Sequence, residues 1–307
     1  MPAPPTSASS STTRKWPTTA PPSATCTDEQ KAKFIPRIVG ADDWWCTLYS
    51  EPGAGSDLAA LQTRAVRDGD EWVINGQKIW TSGGHLADWG WLAARSDPDA
   101  PKHRGITMFV VDMKSPGVTV RPLVNMANRH GFNEVFFEDV RIPNTQVVGE
   151  VNRGWYHMAV ALDFERSGVG AYAGGRRNVE RLTNIARAHP ELVKRRPSIR
   201  YELADRVTEI NVGTFLAYRV AHMQGVGLLP NYEASVSKLF GSEMSQRISL
   251  TGMHLLGMAG ELRDNSRGQV EDLTTAYLQS MSSTVAAGTS EIQRGIIATR
   301  GLGLPRG

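Results

Sequence analysis

Cysteine is almost missing from this chain of 307 residues: only Cys26 and Cys46 occur. That excludes a disulfide framework and fits a reducing compartment, so the expectation is a cytoplasmic protein. No apolar run approaches the length needed to span a membrane, and the first residues lack the apolar core of a secretory signal. No Lys/Arg block of five or more occurs, and the formal net charge is only +3, which removes the electrostatic case for nucleic acid. There is no Gly-x-x-x-x-Gly-Lys phosphate loop and no His-Glu-x-x-His pair, and the seven histidines are scattered, so no metal is expected. What remains, 40% apolar and 21% charged, describes a globular chain of one large or two ordinary domains.

The chain changes character three times. Residues 1–26 are mostly Pro, Ser, Thr and Ala, too poor in apolar side chains to offset ordering, and read as a disordered leader. Thr27 to Gln30 has the pattern of a capping box, predicting a short helix through Ile35 that Pro36 limits. From Trp44 to about Glu150 short strands recur: Trp89 to Arg95, Gly105 to Asp112, Gly117 to Arg121 and Glu134 to Val140. Asn75-Gly76 has the composition of a hairpin turn. This spacing predicts a barrel or sandwich. After Gly149 apolar residues recur at three- and four-residue spacing over Gly154 to His189, Arg200 to Gln224, Tyr232 to Gly257 and Gly268 to Met281. Four such segments predict an antiparallel helical bundle, closed by a helix from Ser290 to about Arg300 with Ser290 and Gln293 as its capping box. The resulting division is 27–44 helical, 45–150 a β-barrel and 151–307 a bundle.

Three stretches could carry chemistry. In Ser50-Glu-Pro-Gly-Ala-Gly-Ser-Asp57, Gly53 and Gly55 are expected to adopt left-handed backbone around Ala54 and bare the main chain to a flat ligand; an ordinary surface turn is the competing reading. Glu165 shares a helical stripe with Met158, Leu162 and Val169. A carboxylate on an apolar stripe is costly to desolvate while ionised, which is how a general base is tuned toward neutral pH; an ion pair with Arg166 explains it equally well. Ala286 to Glu291 runs into a helix N-terminus, whose free N–H groups suit an oxygen ligand or merely a cap. Gly168 to Ala173 fits a relaxed dinucleotide fingerprint, but inside a helical segment it reads as close packing.

Taken in order, Ser50 to Asp57, Asn75-Gly-x-Lys78-x-Trp80, Asp139-Val-Arg-Ile-Pro143, Asp163-x-Glu-Arg166, Gly257-x-x-Gly260 and Gly288 to Arg294 resemble the acyl-CoA dehydrogenase family of flavoenzymes. The resemblance implies an α+β multidomain fold, a β-barrel followed by an antiparallel four-helix bundle, with the family's N-terminal helical domain largely missing. It implies FAD, bordered by Thr47, Leu48, Tyr49 and Ser50, packed by Trp80, with Thr81 and Ser82 near the flavin and His254, Gly257, Thr289 and Glu291 further along. It places Ser56, Asp163, Arg166, Ala287 and Gly288 against the acyl-CoA substrate. The usual base before the Gly-Thr pair is Ala287 here, and a minority of relatives, isovaleryl-CoA dehydrogenase among them, carry it on the first bundle helix, where this chain has Glu165. The Arg-x-x-Phe-Gly motif that grips FAD from a partner subunit is absent, Arg195 and Arg196 lying nearby without matching it. The implied reaction is α,β-dehydrogenation, with electrons passing to an electron-transfer flavoprotein and the chain in a homo- or hetero-oligomer. A non-catalytic subunit and an oxidase are the alternatives.

Overall fold

The computed structural model describes residues 25–165, 168–261 and 269–305, and no side chain at 160, 162–165 or 269–272. The expected leader therefore lies, all but its last two residues, outside the described chain.

Helix α1, Asp28–Val39, starts as its sequence dictates: the Thr27 hydroxyl accepts from the Gln30 N–H while the Gln30 side chain accepts from the Thr27 N–H. It does not stop at Pro36 as expected but runs through it to a cap at Gly40. Tertiary anchoring overrides the breaker. Phe34 is buried between Trp45 and Trp89, and the Gln30 amide donates to the carbonyls of Thr145 and Val147, both at 2.8 Å.

Eight strands follow: β1 Trp45–Leu48, β2 Arg64–Asp68, β3 Glu71–Ser82, β4 Trp89–Arg95, β5 Ile106–Asp112, β6 Val118–Val124, β7 His130–Pro143 and β8 Val147–Val148. They form one sheet in the order β6-β7-β3-β2-β4-β5-β8, with β1 added parallel to β4. The sheet curls round its own core, because Trp72 of β3 meets Phe109 of β5 edge-on although the two strands are not neighbours. Alternate side chains point inward to that cluster, Cys46, Leu48, Ile74, Leu92, Val135 and Phe137 among them.

Asn75-Gly76 is not a hairpin turn. Both residues lie inside β3, where the register against β7 shifts between Ile74 and Gly76, and the β2–β3 turn sits instead between Asp68 and Glu71. Gly76 has φ +150, and a Cβ there would meet Thr63 Cα at 2.7 Å, so glycine marks a bulge and a close crossing.

Helix α2, Gly154–Glu165, packs on the outer face of the sheet: Met158 is buried with Ile106, Met108 and Phe34. Beyond it come α3 Val169–Ala188, α4 Pro190–Arg195, α5 Ile199–Gly225, α6 Tyr232–Leu256, α7 Gln269–Ser280 and α8 Ser290–Ile296. Their shared core holds Tyr172, Leu182, Ile210, Met244, Ile248 and Leu273. The single helix expected over Gly154 to His189 is thus two, broken at Gly168 in the left-handed conformation with φ +75. The Gly168 to Ala173 segment opens α3 rather than lying within a helix, and among the described residues no strand leads into it. Val169 belongs to α3, so the proposed stripe through Glu165 does not continue to it.

Candidate functional site

The strand end Leu48 and the loop after it are held by β3. Ile79 N–H donates to Ser50 O at 2.9 Å, and Lys78 Nζ donates to Tyr49 O at 3.0 Å. The loop itself closes by reciprocal hydrogen bonds between Glu51 and Ala54. That tight closure uses ordinary backbone: neither Gly53 nor Gly55 has the left-handed φ expected of it. Both face open space, with nothing within 4 Å of where a Cβ would stand. Ser56 is exposed, and its neighbour Asp57 pairs with Lys102 at 2.8 Å.

Beneath this loop is an ion pair that the sequence reading missed. Lys78 Nζ lies 2.8 Å from Glu51 Oε1, and both residues are buried, Lys78 completely. Burial pushes the Lys78 ammonium down to about 8, against which Glu51 acts. Burial also pushes Glu51 upward, but the Lys78 charge, with hydrogen bonds from Lys78, Thr63 and Gln62, outweighs it and leaves the carboxyl below its usual range. The Gln62 and Thr63 amides donate to its two oxygens at 2.6 and 2.8 Å. The signal was present as a lysine among strand residues that alternate inward, but its partner is 27 positions away.

Immediately after Lys78 the register of β3 against β7 slips again, so that Ile79 and Trp80 together span the single residue Glu134. Trp80 takes φ +63 at this bulge and stands 58% exposed, a conformation that a bulky residue adopts only under constraint. The next residue, Thr81, is buried, and its hydroxyl has no hydrogen-bond partner among the described residues. Ser82 is exposed. Opposite Thr81 stands Asn133, fully buried, whose amide donates to Thr81 O at 3.0 Å and faces His85 Nδ1 at 3.2 Å. His130 Nε2 lies 2.8 Å from Asn133 Oδ1, and the two imidazoles stack with centroids 4.0 Å apart.

A second group gathers at the last helix. Thr289, not Ser290, is the N-cap of α8: its hydroxyl accepts from Ile292 N–H at 3.2 Å. Gln293 does not complete a capping box, because its amide donates to Ala287 O at 3.2 Å while Lys238 Nζ donates to Gly288 O at 2.7 Å. Ala287 is exposed with φ +54. The carboxyl of Glu291 is lowered by its own backbone N–H and by the Thr289 hydroxyl. A third group lies at the end of α6: His254 Nδ1 is 2.8 Å from Glu202 Oε2, Arg196 pairs with the same carboxylate at 3.0 Å, and Gly257 caps the helix at φ +57. Arg196, set aside in the sequence as matching no motif, is thereby tied to His254.

Glu165 is the last residue of α2, at the point where the chain leaves the sheet for the bundle. Its side chain and that of Asp163 are not described, and Arg166 lies outside the described residues.

Two profiles match this architecture: acyl-CoA dehydrogenase middle domain over residues 46–140, and acyl-CoA dehydrogenase C-terminal domain over 152–302. Among curated relatives, acyl-CoA dehydrogenase IpdE1 of Mycobacterium tuberculosis is 37% identical over 282 residues, covering 91% of this chain and 72% of the relative. Acyl-CoA dehydrogenase FadE34 of the same organism is 40% identical over 288 residues, covering 91% of this chain and 38% of the relative. Among solved structures, the Tcur3481-Tcur3483 steroid ACAD superposes with TM-score 0.86 at 35% identity, covering 94% of this chain and 75% of that one. The ChsE4-ChsE5 complex from Mycobacterium tuberculosis superposes with TM-score 0.79 at 36% identity, covering 92% and 75%. The curled sheet, the helical bundle behind it and the strained tryptophan bulge thus belong to a chain of the acyl-CoA dehydrogenase family, whose members are FAD-dependent oxidoreductases.

Proposed function

We propose that this chain carries out FAD-dependent α,β-dehydrogenation of an acyl-CoA thioester. The observation that carries the reading is the Trp80 bulge and the residue after it, where an exposed indole in strained backbone stands beside a Thr81 hydroxyl that is buried and has no partner among the described residues. Polar groups in folded proteins are seldom left so, and a heteroaromatic ring with carbonyl and N–H edges supplies what the Thr81 hydroxyl lacks. The residues present therefore fit a flavin. Thr47, Leu48, Tyr49 and Ser50 would border it with their backbone, Trp80 would pack against it, and Thr81 and Ser82 would hydrogen-bond to it. His254, Gly257, Thr289 and Glu291 are the proposed holders of the rest of FAD.

When bound, FAD supplies an acceptor for the substrate's β-hydride. Glu165 removes the α-proton, a role supported by its place at the helix end and by Ala287, which offers no carboxyl at the alternative position. Ser56, Asp163, Arg166 and Gly288 would hold the thioester and its CoA arm. Because the similar solved structures include one described as a steroid ACAD and one described as a complex of two subunits, the proposed acyl group is a bulky steroid-like one and the proposed partner a second dehydrogenase subunit. The electron acceptor is an electron-transfer flavoprotein, the setting the cytoplasm, and the division of the chain falls near residue 150.

The test is purification with FAD, followed by anaerobic mixing with straight-chain, branched and steroid-side-chain CoA thioesters. Bleaching of the flavin by one class supports the reading and names the substrate. Oxygen consumption without an added acceptor would make the chain an oxidase. A folded chain that takes up no flavin would make it a non-catalytic subunit.

A further inference from the structure

Three stretches of chain meet at one buried carboxylate. Glu51 lies in the loop after β1; it accepts from the amides of Gln62 and Thr63 in the segment before β2, and from Lys78 in β3. Lys78 in turn donates to Tyr49 O, one residue from Ser50, whose carbonyl takes the Ile79 amide. Arg95 of β4 is close enough to act electrostatically on Lys78 and ties down the same segment through the carbonyls of Ala59 and Leu61. Apart from the Lys78–Glu51 bond itself, each of these bonds engages a main-chain group near where the loop leaves the sheet. A pair of charges in this position is an expensive way merely to stabilise: apolar side chains of similar volume often serve as well or better. What a charge pair adds is direction, because two hydrogen-bonded ions fix the relative placement of the strands that carry them.

We propose that the Glu51–Lys78 pair is the positioning device of the site: it sets the Tyr49–Ser50 backbone and the Trp80 bulge at a fixed separation. Both segments flank it directly, Tyr49 by a hydrogen bond to Lys78 and Trp80 two residues along β3 from it. The consequence for flavin rests on the reading given above; the positioning itself does not. Glu51 and Lys78 touch neither substrate nor cofactor in this account and act through the backbone they hold.

The experiment compares wild type with Glu51→Gln/Lys78→Met, which removes both charges and keeps a carbonyl acceptor for one of the Gln62 and Thr63 amides. Hydrogen exchange followed by mass spectrometry is read over 47–52 and 77–82, with β4 and β5 as internal reference, beside a thermal melt and an FAD titration. The double variant is expected to melt close to wild type, while exchange at both segments rises by about tenfold or more relative to the reference strands. Where wild type binds FAD, the variant's Kd should rise by a similar factor and its visible flavin spectrum shift. Wild-type exchange at both segments in the double variant overturns the proposal, because a merely structural pair would leave them unmoved once the fold is kept. If wild type takes up no FAD, the flavin reading fails while the exchange comparison still decides the positioning. If the double variant does not fold, wild type alone decides: slow Ile79, Gln62 and Thr63 amides, matching those of β5, support the clamp, and fast ones overturn it.

Discussion

The Trp80 indole meets the Phe132 ring edge-on, with centroids 6.1 Å apart and planes at 83°. The contact holds the indole while its backbone sits at φ +63, in a region that a residue with a Cβ enters at a cost of about 1–2 kcal/mol. Glycine enters it freely. Trp80→Gly should therefore be more stable than Trp80→Ala by about 1 kcal/mol, the reverse of the usual order in a strand. Both lose the ring, so both should lose FAD affinity. Urea unfolding of the two variants checks this; an alanine variant at least as stable as the glycine one contradicts the strained bulge.

The buried pair predicts a marked non-additivity. Glu51→Gln alone leaves a buried ammonium, and Lys78→Met alone leaves a buried carboxylate, each expected to cost about 3–5 kcal/mol. The double variant should cost well under the sum of the two, since no unpaired charge remains. A double-mutant cycle in urea provides the measurement. Additive losses would show that the two side chains do not interact.

Stability should depend on pH in two windows set by this pair. Lys78 titrates near 8 in the folded chain and near its ordinary 10.5 when unfolded, so between these values the unfolded chain binds more protons. Stability from this group therefore rises with pH across that window, by up to about 3 kcal/mol, whatever other groups add. Glu51 has a lowered folded value, so its contribution is present above its ordinary 4.5 and is lost as pH falls through the folded value. Subtracting the melts of Lys78→Met from those of wild type should isolate an alkaline rise. A difference that is flat from pH 8 to 10.5 contradicts the burial of a charged Lys78.

How much of this could be read in the chain follows the range of the interactions. Strand β4 falls on the expected Trp89 to Arg95, and the bundle helices after Gly168 fall close to their apolar spacing, because both patterns are local. The Asn75-Gly76 pair misled because it has the composition of a turn, while the crossing of Thr63 that explains its glycine is invisible along the chain. Gly53 and Gly55 misled in the same way: the loop closes by Glu51–Ala54 hydrogen bonds that need no left-handed residue. Gly168 opens a second helix where periodicity carried one straight through, which takes Val169, though not Met158 or Leu162, off the stripe drawn through Glu165. The Glu51–Lys78 pair was hidden because each residue, alone, is an ordinary charge in an amphipathic stretch.

Asn133 should be the most sensitive residue on β7. It is fully buried and serves the Thr81 carbonyl and both His85 and His130. Asn133→Ala removes these partners together, leaving the Thr81 carbonyl buried without its donor, at about 1–3 kcal/mol. A melt reports the loss, and the His85 and His130 ring resonances should separate in an NMR spectrum as the stack loosens. Unchanged stability would mean that water replaces the amide at no cost.

The role proposed above for Glu165 is removal of the substrate's α-proton. The direct test is anaerobic flavin bleaching by an acyl-CoA, in FAD-loaded wild type and in FAD-loaded Glu165→Gln, with flavin content and melting temperature measured on both. The variant is expected to load with flavin and bind the thioester but to bleach slower by about a thousandfold or more, the scale of a lost general base. Equal bleaching by the two proteins, with the fold and flavin content intact, would contradict it and take Glu165 out of the chemistry.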